Sequence, residues 1–172
     1  MTVPTVLLGF FCVVFCSIEI AGDKPSIEST SVCNASGLIA PKNGLTYPPS
    51  SIDQIPNLMR PEADGGILTQ RGQVEVISSI DSNGDEIEYD IRFGVWVVFE
   101  GDTDYIKRCF NEYGVKTDTT GKYACMYKRW HLIGLEVGLS VASIALRSEP
   151  TPAALLDYPE IQPLQKQRLL KR

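Results

Sequence analysis

The sequence is poor in the residues from which metal centres and disulfide scaffolds are built. It has one histidine, His131, so a multi-histidine metal centre cannot form within one chain. Its five cysteines are Cys12, Cys16, Cys33, Cys109 and Cys125. None forms a Cys-x-x-Cys pair, two lie in an apolar leader, and the odd three that remain make no complete disulfide framework. They are expected to be buried or half-buried thiols in a reducing compartment. Positive charge is also scarce. Lys and Arg number 16 against 21 Asp and Glu, for a net charge of -5, which disfavours a nucleic-acid-binding domain with its usual basic face. No G-x-G-x-x-G, P-loop, G-x-S-x-G or H-E-x-x-H motif occurs and no internal repeat is visible. Gly (14) and Pro (11) are at ordinary levels, so collagen-like and low-complexity classes are out.

What remains is a chain of 172 residues, 44% of them hydrophobic. That is enough for one domain with a core of its own. Residues 2–18 carry no charge, and their apolar part has the length of a signal-peptide h-region rather than of a membrane span. Three readings stay open for residues 1–22: a signal peptide or anchor, a buried strand or helix start, or a spurious chain start. Residues 23–150 read as the folded domain. Residues 151–172 read as a proline-containing tail with four basic residues in its last seven, a run that more often marks a solvated terminus than a site.

Within the domain, Asp23, Pro25 and Gly37 bracket a helix. Residues 38–66 are irregular, with one short helical turn inside 52–59. Residues 74–80 alternate loosely and lead into Asn83-Gly84, the signature of a hairpin turn. Asp81, Asn83 and Asp85 alternate as calcium ligands do, but Gly84 and Arg92 stand where an EF-hand needs other spacing, so calcium is not expected. Phe93–Phe99 is apolar on both faces and reads as a central strand. A helix over 104–113 follows, then a strand at 122–127 and a buried helix over 132–146. The fold class expected is α+β, a mixed sheet covered by helices, with no Rossmann nucleotide-binding domain.

Unusual polar groups concentrate at the last strand-to-helix junction. Lys128 and Arg129 can hold a phosphate or carboxylate, the first as a point charge and the second as a fork. His131 can act as acid or base near neutral pH. Glu136 is the only charged residue between Arg129 and Arg147, and a buried carboxylate must find a partner or shift its pKa. Ser140 and Ser143 follow it at helical spacing. The plainer reading makes His131 a packing residue, Lys128 and Arg129 a solvated pair, and Glu136 a structural carboxylate.

Three runs taken together resemble a known family: Arg60-Pro61-Glu62-Ala63-Asp64-Gly65-Gly66-Ile67-Leu68, Phe93-Gly94-Val95-Trp96-Val97-Val98-Phe99-Glu100, and Tyr127-Lys128-Arg129-Trp130-His131-Leu132-Ile133-Gly134-Leu135-Glu136. Their order and spacing are similar to those of the homoserine-dehydrogenase-like oxidoreductases, including the DXR-like (DRL) reductoisomerases. The resemblance covers about three quarters of the chain. It implies the central catalytic domain, flanked in the family by a Rossmann domain and a SAF domain, neither of which this sequence resembles elsewhere. Where the family reads Tyr-Arg-Pro-Tyr-His-Leu, this chain has Tyr127-Lys128-Arg129-Trp130-His131-Leu132. The resemblance therefore implies His131, Glu136 and Tyr127 as catalytic residues. Lys128, Arg129, Asp64, Gly65 and Gly66 are candidates to bind substrate, and no metal is expected. It also implies NAD(P)H, NAD or NADP undetermined, bound by a Rossmann domain or subunit, and a small hydroxylated or phosphorylated metabolite as substrate. A cytoplasmic chain, inactive alone and able to form homo-oligomers, is the expectation. The competing expectation is a secreted or membrane-anchored, non-enzymatic binding module, motivated by the leader and the Asn34-Ala35-Ser36 sequon.

Overall fold

The computed structural model describes residues 10–12, 24–131 and 133–148, with the backbone alone at 10–12, 24, 133, 135 and 136. The leader beyond residues 10–12 and the basic tail thus lie outside the described residues. Helix α1 (Lys24–Ser36) starts beside Pro25. It stops at Gly37, which takes φ +74° and donates its N–H to the Cys33 carbonyl at 2.9 Å. Short helix α2 (Ile55–Leu58) and a 3-10 turn over Glu62–Asp64 follow. The later elements are strand β2 (Val95–Glu100), helix α3 (Asp104–Glu112), strand β3 (Lys116–Thr117), strand β4 (Tyr123–Lys128) and helix α4 (Ile133–Arg147).

With strand β1 (Phe10–Cys12) at one edge, the strands lie in the order β1-β2-β4-β3, and every ladder is antiparallel. The parallel pairings are isolated bridges, such as Ile39 with Gln73 and Pro49 with Ser78. The class is α+β, as the order of elements predicts, and no Rossmann fold is present among the described residues. Alternation along the β2–β4 pair sorts the side chains by face. Trp96 and Val98 stand on one face with their register partners Tyr127 and Cys125. The core forms there against Ile55 and Met59 and against Leu68, Ile77 and Ile91 from the irregular segments. Burying each such side chain contributes on the order of 2 kcal/mol. The other face meets α3, where Phe99 and Phe110 pack at 5.6 Å between centroids. Helix α3 is capped by Thr103, whose hydroxyl accepts from the Ile106 N–H at 3.2 Å.

Three expectations are corrected. Residues 74–80 form no regular strand. Their amides serve loop partners instead: Val74 N–H donates to Ile39 O and Ser78 N–H to Pro48 O. The buried Glu75 explains why. Its carboxylate accepts from Thr46 N, Thr46 Oγ1 and Val76 N, pinning the 44–50 loop where a second strand would have to pair. The chain does reverse at 81–85, through an isolated antiparallel bridge of Ile80 with Glu86, with Gly84 at φ +91° and Asp81 N–H donating to Asp85 O at 2.9 Å, but Asn83 takes no positive φ and the two-residue hairpin turn does not form. Helix α4, in turn, is not buried. Val137, Leu139, Val141, Ile144 and Leu146 are exposed, whereas Ser143 is buried and accepts from Arg147 at 3.1 Å. The helix is thus exposed nearly all round, its apolar residues included. No helix among the described residues is long and apolar enough to cross a membrane.

Candidate functional site

Strand β4 connects two polar regions, separated by roughly 20 Å at the usual rise of a strand. At its start, Tyr123 is buried and its hydroxyl donates to Asp64 Oδ2 at 2.5 Å. Lys122 Nζ lies 3.5 Å from Asp64 and 2.7 Å from Glu100. Glu100 is also clasped by Arg71 through two hydrogen bonds, at 2.6 and 2.9 Å. Beneath them Arg60 reaches Asp118 at 2.6 Å, and Asp118 also accepts from Thr120 Oγ1 and from Tyr123 N–H. The Arg71 clasp, reinforced by Lys122, holds the Glu100 carboxyl down to about 2. Burial, helped by the bond to Asp64, pushes the Tyr123 phenol up to about 12. Asp64 is lowered chiefly by the Tyr123 hydroxyl and then by Lys122 and Arg71. Burial alone would raise Asp118, but Thr120, the Tyr123 amide and Arg60 bring it below its ordinary value. Each carboxylate is answered by a cation or a donor, and the phenol is locked in its neutral form. This is a clamp that ties β4 to the end of β2 and to the 60–71 loop.

Gly65 and Gly66 belong to this end. A Cβ on Gly66 would come within 2.0 Å of Arg60 O and 2.5 Å of Arg60 Cγ. The glycine therefore lets the turn fold back on Arg60 and directs Asp64 toward Tyr123. The pair closes against its own chain.

The far end of β4 is different. Gly94 sits where a Cβ would meet Lys128 O at 2.5 Å and Ile91 Cγ1 at 2.4 Å, so only glycine lets the two chains come together there. Beside it His131 N–H donates to Phe93 O at 2.6 Å. This close approach brings Phe93 and Trp130 into a stack, with centroids 5.9 Å apart and planes 18° from parallel. Both rings remain more than half exposed, at 51% and 59%, which leaves much of their apolar surface in water. The Arg129 guanidinium lies 5.9 Å from the Trp130 centroid. Facing them, Arg92 bridges Asp90 at 2.5 Å and Glu86 at 3.1 Å. These six residues line an open cleft of about 330 Å³, at the lower end of the range for ligand pockets. Arg129 makes no ion pair among the described residues, so its charge is available to an anion.

The sequence-predicted residues are thus distributed over both ends. Arg129 lines the cleft. His131 follows Trp130 in the chain but is not among the lining residues; it is half-buried, and burial, with the Lys128 charge beside it, lowers its pKa below the ordinary value of 6.5. Lys128 closes β4 next to Arg129, opposite Val95. Tyr127 is register partner of Trp96 on the core face and does not line the cleft. Asp64, Gly65 and Gly66 stand at the clamp. The Glu136 side chain lies outside the described residues. Phe93, Arg92, Glu86 and Asp90 were not legible as site residues. The one signal for Phe93 was the glycine that follows it. Cys125 is buried and its thiol pushed up to about 12 by that burial, and Cys33 is pushed up to about 11 by the same cause. Neither is a ready nucleophile. Among the described residues no group of His, Cys, Asp and Glu could hold a metal ion.

A family model described as the catalytic domain of the oxidoreductase DRL matches residues 13–137, a stretch that contains the clamp, the cleft and both strands between them. No curated protein matches this chain.

Proposed function

The chain belongs to the oxidoreductase DRL catalytic-domain family, and from that premise we propose that it holds the substrate during an NAD(P)-dependent oxidation or reduction of a small hydroxylated or phosphorylated metabolite. The observation that carries this reading is the cleft at the end of β4, where Arg129 lies without an ion-pair partner among the described residues beside two exposed aromatic rings. Arg129, with Lys128 next to it, binds the anionic group of the substrate. His131, with its pKa below 6.5, is neutral at pH 7. It can therefore accept a proton from a substrate hydroxyl as that group is oxidised, or return it in the reverse direction. Glu136, in the first turn of α4, is the second candidate to carry a proton.

The nicotinamide group supplies hydride transfer when bound. A dinucleotide needs a glycine-rich turn whose backbone N–H groups cradle the pyrophosphate at a helix start. The adjacent glycines Gly65 and Gly66 do not fit it, because that turn is packed onto Arg60. The cofactor's phosphates accordingly belong to a separate dinucleotide-binding domain or subunit. The exposed apolar side chains of α4 are the surface such a domain would cover.

Turnover tests the proposal. The purified chain is mixed with NADPH and a panel of small phosphorylated carbonyl compounds, alone and with a dinucleotide-binding subunit supplied in trans. Turnover is expected only in the mixture, and His131→Ala should lower kcat by about 10²-fold, the usual weight of a general acid–base group. An unchanged kcat in that variant removes His131 from the chemistry. Absence of turnover in every mixture overturns the reading.

A further inference from the structure

We propose that Glu86 and Asp90, held by Arg92, set the specificity of the cleft: they accept the hydroxyl groups of a metabolite whose single anionic group rests on Arg129, and they turn away a metabolite that carries a second anion. The proposal rests on the reading of the cleft as the substrate site and deepens it by naming the groups that sort one substrate from another. Its starting point is an uneven sharing of charge. Glu86, Asp90, Arg92 and Arg129 all line the cleft. Even pairing of these carboxylates and guanidinium groups would leave no net charge on either side. Instead Arg92 takes both carboxylates, Asp90 at 2.5 Å and Glu86 at 3.1 Å, and Arg129 has no ion pair among the described residues. Chain connectivity explains the division. Glu86, Asp90 and Arg92 come from one short stretch of loop before β2, whereas Arg129 follows the last residue of β4. One cation between two anions leaves the loop side with a net negative charge, and Arg129 gives the strand side a positive one.

Arg92 uses Asp90 Oδ2 and Glu86 Oε1. It fixes both carboxylates and leaves each an oxygen, Asp90 Oδ1 and Glu86 Oε2, to accept. An ionised carboxylate only accepts, so its partner on a ligand is a hydroxyl and not another anion. Phe93 and Trp130 add an exposed apolar wall, stacked at 5.9 Å between centroids, on which the C–H face of a hydroxylated molecule can rest. A second phosphate or carboxylate brought to Glu86 and Asp90 meets like charge, and repulsion separates competing ligands as well as attraction does. Glu86 is not needed for the fold. Its side chain is 71% exposed, and an exposed ion pair contributes little to stability, so it can be changed with the loop intact.

The protein contains two tryptophans, and their burial separates them. Trp130 is exposed at the cleft, and Trp96 is 2% exposed in the core. Their indole N–H signals in a ¹⁵N-labelled full chain therefore report the cleft and the core independently. Phosphates of matched length serve as probes. Glycerol 3-phosphate offers a single anion and a diol, propyl phosphate a single anion without hydroxyls, and 3-phosphoglycerate a second anion. Glycerol 3-phosphate is expected to shift the Trp130 signal saturably and leave Trp96 unmoved. The other two should each bind about tenfold more weakly, propyl phosphate for want of hydroxyls and 3-phosphoglycerate through repulsion. Glu86→Gln keeps the shape and removes the charge. It should reduce the preference for glycerol 3-phosphate over 3-phosphoglycerate severalfold, with Trp96 again unmoved. The inference is overturned if glycerol 3-phosphate binds no better than either of the others, or if Glu86→Gln leaves the preference as it was. In those cases binding that still depends on Arg129 keeps the cleft as the phosphate site. If no phosphate shifts Trp130, the reading of the site fails and this inference with it.

Discussion

The two ends of β4 carry similar residue types and put them to opposite uses. At the start of the strand Lys122, Arg71 and Arg60 are each matched to a carboxylate, and Tyr123 is buried with its hydroxyl on Asp64. At the other end Arg129 stands beside an exposed Trp130 without an ion-pair partner among the described residues. Charges that answer one another in a half-buried setting hold a fold together. A cation and an aromatic surface left open are available to something else. The comparison teaches that an ionisable cluster with shifted pKa values is not by itself a site. The clamp gathers shifted groups at every corner, yet they are consumed by each other.

The sharpest break of this comparison is Asp118→Ala. It strands the Arg60 guanidinium, whose side chain is 14% exposed, against a carboxylate position that is fully buried. Removing one partner of a buried pair costs about 3–5 kcal/mol, so urea unfolding should show a loss of that order. A change below about 1 kcal/mol would mean that Arg60 finds water instead. Next is Tyr123→Phe. It leaves Asp64 without its shortest donor and should destabilise by about 1–2 kcal/mol, as loss of a hydrogen bond to a charged group does.

Acid gives a third test. The Glu100 carboxyl is held down to about 2 in the folded chain and titrates near 4.3 unfolded. Its contribution is therefore complete above the unfolded value and is lost as pH falls from there toward 2. Thermal melts across that window should show a steeper decline in the wild type than in Glu100→Gln. Parallel curves would remove Glu100 as a source. The smallest stability effect belongs to the open end. Arg129→Ala should change the unfolding free energy by no more than about 0.5 kcal/mol, as surface substitutions do, while weakening anion binding about tenfold. A large stability loss there would turn the cleft into a second clamp and end the contrast.

Much of the fold was readable from local rules. Pro25 and Gly37 bracket α1, Thr103 caps α3, and the apolar run at 93–99 became the central strand β2 within a residue or two. These signals are local because caps, breakers and side-chain periods act over one turn or one strand. Residues 74–80 misled because their alternation suits a strand, but their amide partners are remote loop carbonyls and their own Glu75. Helix α4 misled for a related reason. Its composition is that of a buried helix, and composition does not say which surface covers it. Of the candidate site, Arg129, Trp130 and His131 were legible as a polar cluster at a strand end. Phe93, Arg92, Glu86 and Asp90 were not, because they reach the cleft from a loop more than thirty residues earlier.

By itself the sequence determined the α+β class and the membership of the DRL oxidoreductase catalytic-domain family. It determined also that its one histidine sits among basic and aromatic residues at a strand-to-helix junction. The tertiary structure decided which charges are free. Pairing depends on partners such as Asp64 with Tyr123 and Glu100 with Arg71, which are distant in the chain and are joined only when β2, β4 and the 60–71 loop pack together.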